Sequence, residues 1–221
     1  MKKLNLIIGI LVLTTSVSFG QKYELDKKTV TGVFDAKGKT KSEIFSSINK
    51  WISLNYNSAQ NVVQLNDSNA GNIIVKGQND AVYKEVLLLI FPQRKLTLSE
   101  YASIKLSHTI EINIRDNKFR IIYSLTSHVP YIGIDQYGSI KKKLKLIFSM
   151  INFSGLKDEQ VEIYNEATKD GVLFMGKKKK REMLTYTKPI FEQFNKDLIA
   201  NIKYILLSIQ ETVNLTKKDD W

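Results

Sequence analysis

The sequence predicts an α+β fold: an antiparallel sheet with helices packed on one face, extended by a helical C-terminal region. Three observations lead there. A capped amphipathic helix stands at about 40–56. A hairpin at 107–126 sorts its apolar and polar residues onto opposite faces in one register. A long apolar stripe at steps of three and four runs from about 189 to 214.

The N-terminus has the three parts of a cleavable export signal. Lys2 and Lys3 are the basic start, Leu4 to Leu13 is apolar, and Ser18 and Gly20 flank a small-x-small cleavage position before Gln21. The apolar run is shorter than the roughly 20 residues a spanning helix needs. Residues 1–20 are therefore expected to be removed, leaving a periplasmic or secreted protein. The chain has no Cys, so no lipid can be attached at a cleavage-site cysteine, and no disulfide or thiolate chemistry is open to it. No later segment is long and apolar enough to span a membrane.

Thr29 to Phe34 reads as a strand, ended by Asp35-Ala36-Lys37-Gly38. The helix follows. Thr40-Lys41-Ser42-Glu43 has the form of a capping box, with Thr40 as N-cap and Glu43 reaching back. Ile44, Ile48, Trp51 and Ile52 then make one apolar stripe, with Phe45 beside them. Asn61 to Leu65 and Asn72 to Lys76 read as two short strands around the turn-forming run Asp67-Ser68-Asn69-Ala70-Gly71. From Gln78 to Leu106 the pattern is weaker. Ala81 to Phe91 fits a buried strand or a helix equally, and Pro92 ends it.

The hairpin is the clearest element. With Asp116-Asn117 as a two-residue turn, Arg115 faces Lys118, Ile114 faces Phe119, Ile112 faces Ile121 and Ile110 faces Tyr123. The other face carries Thr109, Glu111, Asn113 and Arg115 against Lys118, Arg120 and Ser124, with Ile122 the exception. A slip of one residue would mix the faces. The apolar side is expected to meet Ile44, Ile48 and Trp51, and the polar side to meet water. Residues 129–155 have no clean period, and Lys157 to Thr168 reads as a short helix. Pro189 suits the first turn of the last helix. Phe191, Phe194, Leu198, Ile202, Ile205, Ile209 and Val213 form its stripe, which is expected to pack on the domain's own sheet or helix. The expected organisation is a leader at 1–20, an α+β sheet domain at 21–130 and a basic, mainly helical region at 131–221.

The chain carries 33 basic and 22 acidic residues, net +11, and loss of the two leader lysines takes this to +9. Outside the cytoplasm such a protein meets lipid headgroups, lipopolysaccharide or acidic glycans rather than nucleic acid. Two clusters concentrate the charge, Lys141-Lys142-Lys143-Leu144-Lys145 and Lys177-Lys178-Lys179-Lys180-Arg181. The ordinary reading of both is a solvated loop or helix face. Neither has interleaved aromatics, which weakens a single-strand-binding reading. The lysines of the first cluster are expected to point outward from a packed segment that includes Leu144, Leu146, Ile147 and Phe148.

Three stretches resemble a family of exported proteins from Gram-negative bacteria known as domain of unknown function 4468. They are Lys41-Ser42-Glu43-Ile44-Phe45 with Asn49-Lys50-Trp51, Val62-Val63-Gln64-Leu65 leading to Gly71-Asn72-Ile73-Ile74-Val75-Lys76-Gly77, and Ile114-Arg115-Asp116-Asn117-Lys118-Phe119-Arg120. The resemblance covers about 23–126 and implies a TATA-binding-protein-like fold, a curved antiparallel sheet with helices on one side. The stretch from Gly77 to Ser107 is longer than the pattern, and the chain beyond about Thr126 falls outside it. The resemblance brings no catalytic residues, and a fold name does not import DNA binding.

Motifs for chemistry are sparse. The two histidines, His108 and His128, are expected on opposite faces of the sheet and in no metal-ligand spacing, so each reads as capped or solvated. No Ser stands in a nucleophile elbow and no glycine-rich phosphate loop occurs. Catalytic residues are therefore unassigned, and neither a cofactor nor a metal is implied. The leading expectation is a non-enzymatic envelope module that binds a protein or an anionic surface ligand. Its candidate residues are Arg115, Lys118 and Arg120 on the hairpin and Lys177, Lys178, Lys179, Lys180 and Arg181. A hydrolase of an envelope polymer would need a pocket with two convergent acids. An assembly protein that uses the C-terminal helix on a partner would show an apolar stripe left uncovered.

Overall fold

The computed structural model describes residues 23–92, 99–130, 138–170 and 176–215. The expected leader and its cleavage site at Gln21 lie outside them. In chain order the elements are β1 (Tyr23–Asp26), β2 (Thr29–Asp35), α1 (Lys41–Asn55), α2 (Ala59–Val62), β3 (Val63–Asp67), β4 (Asn72–Lys84), α3 (Val86–Ile90), β5 (Tyr101–Arg115), β6 (Lys118–His128), α4 (Ser139–Ser149), α5 (Asp158–Asp170) and α6 (Lys177–Leu215). The strands form one antiparallel sheet in the order β1-β2-β6-β5-β4-β3.

The helix boundaries follow from local chemistry. Thr40 accepts from the Glu43 backbone N–H, and Glu43 accepts from the Thr40 N–H at 2.8 Å, so the capping box is closed at both ends. The β5–β6 hairpin has the expected register, with Arg115 opposite Lys118, Ile112 opposite Ile121 and Ile110 opposite Tyr123. Asn117 takes the left-handed conformation at φ 64° while Asp116 does not, so the two-residue turn is not the type I′ form that Asn and Asp would also tolerate. The tip is fastened to the chain that enters α1. The Lys41 N–H donates to the Asp116 carboxylate at 2.6 Å and the Gly38 N–H to the Asn117 amide oxygen at 2.8 Å.

Where periodicity left the chain open, long-range pairing decides it. Asn61 and Val62 end α2 instead of starting a strand, so β3 begins at Val63. Residues 81–91 divide: Ala81 to Lys84 continue β4 because they pair with Tyr101 to Ile104, and Val86 to Ile90 turn into α3. Residues 139–149 are helix α4. The last helix begins at Lys177 rather than at Pro189, which lies inside it. Pro189 cannot donate to the Thr185 carbonyl, but both residues are exposed, so water can take that acceptor. His128 also differs. An irregularity in the β5–β6 pairing between Ser107 and His108 inserts one residue on β6, so His128 stands opposite Leu106 on the helix-covered face. Its ring lies 5.8 Å from that of Phe148.

The core-facing side chains of β2, β4, β5 and β6 meet α1 and α6. Ile44, Ile48 and Trp51 of α1 share one buried cluster with Ile110, Ile112, Ile114, Phe119, Ile121 and Tyr123. The stripe of α6 belongs to that same cluster, through Phe191, Phe194, Leu198, Ile202, Leu206, Ile209 and Val213. Met150, Phe153, Val161 and Tyr164 extend it, so the residues after the sheet add to the core already formed. A buried amide joins them: Asn195 donates to the Met150 and Phe191 carbonyls and accepts from the Asn152 N–H. With 39 residues α6 is roughly 58 Å long. The opposite face of the sheet bears Thr29, Thr31, Ile122, Ser124, Glu111, Asn113, Ile74 and Lys76, and no described helix covers it.

Candidate functional site

The open face of the sheet is organised at its hairpin end. Period-two alternation puts Asn72, Asn113 and Arg120 side by side on β4, β5 and β6. The Asn113 amide nitrogen donates to Asn72 Oδ1 at 3.2 Å and to Glu111 Oε1 at 3.1 Å. This leaves its oxygen to accept from Arg120, whose Nε and Nη2 donate at 3.0 and 2.7 Å. The guanidinium is therefore held in place while three of its five N–H groups stay available. Arg115 and Lys118 stand next to it, and Val33, Asn113 and the three cations line a hollow of about 230 Å³. Among the described residues no carboxylate forms an ion pair with Arg115, Lys118 or Arg120.

The second candidate cluster lies far from the first. Lys177 to Arg181 make the first turns of α6, and Lys177, Lys178 and Arg181 are exposed. The Lys180 side chain lies outside the described residues. Lys179 is committed: its ammonium sits 4.1 Å above the ring of Phe91. Phe91 follows α3 at the end of the sheet where β5 starts, whereas Arg115 ends β5. Fifteen strand residues separate the two ends, roughly 45–50 Å. One small ligand cannot touch both clusters. The α6 cluster also places cations, with no acid, at a helix N-terminus, where the helix dipole disfavours them and an anion would relieve the repulsion.

The other basic run is only partly a solvated face. Lys143 turns inward, and its ammonium meets Glu85 Oε2 at 2.5 Å, with the Glu85 side chain 4% exposed. This lysine holds a structural ion pair, a correction to the expectation that the whole run points outward. Burial, and then the negative charge of Glu85, push the nearby Tyr83 and Tyr164 phenols up.

The third feature is His108, which is buried opposite Leu125 and capped, the first of its two expected states. It stacks on Tyr123 at 4.8 Å between ring centroids, and its Nδ1 and Nε2 lie 3.1 Å from Asn79 Oδ1 and 3.2 Å from the Tyr56 hydroxyl. The Tyr123 hydroxyl also donates to Asn79 Oδ1. An amide oxygen can only accept, so Nδ1 carries the proton and Nε2 accepts from Tyr56. Burial pushes the His108 pKa down to about 4 and that of Tyr56 up to about 12. Gly77 makes room for this cluster, since a Cβ there would lie 2.6 Å from His108 Nε2. An open cleft of about 680 Å³ borders it, lined also by Lys76, Gln78, Ser107 and Thr109. The signal for it in the sequence was Gly77 in a strand, a mark of close approach.

No described cleft brings two carboxylates together: Asp197 is the one acid among their linings. Among the described residues no three His, Asp or Glu side chains gather as a metal site would need. No described helix is long and apolar enough to cross a membrane.

Residues 31–126 match the family described as a domain of unknown function (DUF4468) with TBP-like fold. The resemblance read from the residues is therefore shown over that segment, and the α+β sheet with helices has the family's fold. Among solved structures, a DUF4468 family protein from Bacteroides ovatus matches at 14% identity and a TM-score of 0.35, over 46% of this chain and 55% of that one. A TBP-like protein from Parabacteroides distasonis matches at 18% identity and a TM-score of 0.33, over 43% and 53%. The match thus spans about half the length of each of those chains. No curated protein matches the chain.

Proposed function

We propose that the protein is an exported, non-enzymatic module that binds an anionic group, a carboxylate or phosphate, presented by an envelope protein or surface. The observation that carries this is the hollow at the hairpin end. It gathers Arg115, Lys118 and Arg120 with no ion-paired carboxylate among the described residues, and an amide network pre-sets the Arg120 fork. A guanidinium held in advance loses little freedom on binding, which favours planar, bidentate anions. The mature charge of +9 would draw such partners in. Lys177, Lys178 and Arg181 serve as a second, separate contact for an extended anionic surface.

Binding of the purified protein to phosphatidylglycerol vesicles, to lipopolysaccharide and to envelope extract, each at low and physiological salt, tests this. Wild type should be retained and should weaken with salt. Arg115→Gln/Lys118→Gln/Arg120→Gln should lose retention, while Lys177→Gln/Lys178→Gln/Arg181→Gln should lose it only on extended surfaces. Retention of the hairpin variant equal to wild type would remove the hollow as the site. The reading in which α6 docks on a partner loses its basis, because its apolar stripe is already covered by the core.

A further inference from the structure

We propose that the free edge of β4 pairs with the same edge of a second copy of this chain, about a twofold axis at Val82. The edge arises because β3 is short. Its pairing with β4 ends at Val75, while β4 runs on to Lys84, so among the described residues no strand pairs with 76–84 on that side. The direction of the unpaired groups follows from two hydrogen bonds. The Ile114 N–H donates to the Gly71 carbonyl and the Glu85 N–H to the Glu100 carbonyl, both in the β4–β5 register. Odd-numbered residues of β4 therefore turn their backbone groups to β5, and Lys76, Gln78, Asp80, Val82 and Lys84 turn theirs outward. Such a row is a ready template for another strand.

Charge selects the occupant and its register. Two antiparallel copies can pair outward-turned residues with one another about an axis at any position from 78 to 84. With Asn79 on the axis, Lys84 would fall opposite Ile74, which Leu65 holds. With Ala81 or Tyr83 on the axis, Val82 would face Asp80 or Lys84 and no opposite charges would meet, and with Lys84 on the axis it would face itself. With Asp80 on the axis, Asp80 would face Asp80 and Lys76 would face Lys84 of the other copy, and like charges directly opposite are destabilising. With Gln78 on the axis, Val82 of the other copy would fall opposite Ile74, a place already held by Leu65. With Val82 on the axis, Asp80 faces Lys84 twice, and the two exposed Val82 side chains meet at the centre. Three residue pairs then exchange backbone hydrogen bonds. The ion pairs Asp80 and Lys84 now make, with Lys105 at 3.5 Å and Glu100 at 3.6 Å, join exposed groups and are easily exchanged. On the helix side a cleft of about 320 Å³ lies between Val82, Tyr83 and Lys84 and the α6 residues Ile190, Gln193 and Phe194. It receives the odd-numbered side chains of the added strand.

The test uses the purified protein in sedimentation over a range of concentrations. Wild type should show a weak, concentration-dependent dimer. Asp80→Lys and Lys84→Asp, alone, should each weaken it by roughly tenfold or more, because each change acts twice about the axis. Asp80→Lys/Lys84→Asp together should restore it. The chain has no Cys, so Val82→Cys adds a single thiol. Facing residues in a hydrogen-bonded antiparallel pair lie about 5.5 Å apart at Cα, within disulfide reach. Val82→Cys should cross-link on mild oxidation much faster than Val33→Cys, a control of similar exposure. A monomer at every concentration would overturn the proposal. So would a dimer indifferent to the charge changes, a double variant no better than the singles, or equal cross-linking of the two cysteine variants.

Discussion

Replacing Gly77 with Ala tests how the sheet closes over His108. A Cβ at Gly77 would stand 2.6 Å from His108 Nε2, 2.8 Å from Cε1 and 2.9 Å from Tyr56 Cε1. Ordinary contact starts at 3.4 Å, so the ring would have to withdraw by about 0.8 Å. It has little freedom to do so: Tyr123 stacks on one face, and Asn79 and Tyr56 hold its two nitrogens. Overpacking of this kind costs about 1–3 kcal/mol. Against it stands a gain of about 0.4–1 kcal/mol from removing a glycine from the unfolded chain. The expected net loss is about 1–2 kcal/mol, measured as the shift in urea midpoint followed by the fluorescence of buried Trp51. Trp51 lies 6.1 Å from the Tyr56 ring, so its emission also registers displacement of that ring. In a His108→Ala background the two closest contacts are gone and the Tyr56 ring edge at 2.9 Å remains, released from its histidine partner, so Gly77→Ala should cost clearly less. A coupling of about 1 kcal/mol between the two positions is therefore expected. Equal destabilisation in both backgrounds would show that Gly77 serves the backbone alone and would refute the argument.

His108 also makes stability depend on pH. Its folded pKa of about 4 lies below the unfolded value of 6.5, so its full contribution is present above pH 6.5 and is lost as pH falls toward 4. The loss amounts to about 3 kcal/mol, and urea titrations across that range should show a shallower slope for His108→Gln. Lys143→Met should cost about 3 kcal/mol in a thermal or urea melt because it strands the buried Glu85 carboxylate. Lys143→Met/Glu85→Leu should recover most of that loss. Ile112→Asp should cost several kcal/mol, since Ile112 is fully buried between Ile73 and Ile121, and an unchanged melt would mean the β5–β6 register is wrong.

What could be read from the chain alone was what neighbours in sequence decide. The capping box of α1 spans four residues, and the hairpin register follows from one two-residue turn and a period of two. The register also places Arg120 beside Asn113 on the polar face, so part of the candidate site is legible in the sequence. The expectation of a leader at 1–20 rests on the sequence by itself. Other features required residues brought from afar. Ala81 to Lys84 are strand because Tyr101 to Ile104 come alongside, and nothing in 81–91 could announce that. Likewise, Glu85 meets Lys143 across 58 positions of chain, and His108 is capped by Tyr56 and Asn79 from two other elements. One inserted residue on β6 reverses the face of His128, since alternation carries no memory past a bulge. The hairpin cations and the Lys177 to Arg181 run carry charge of the same sign, and only the length of β5 shows that they lie at opposite ends of the sheet, because charge composition is blind to distance.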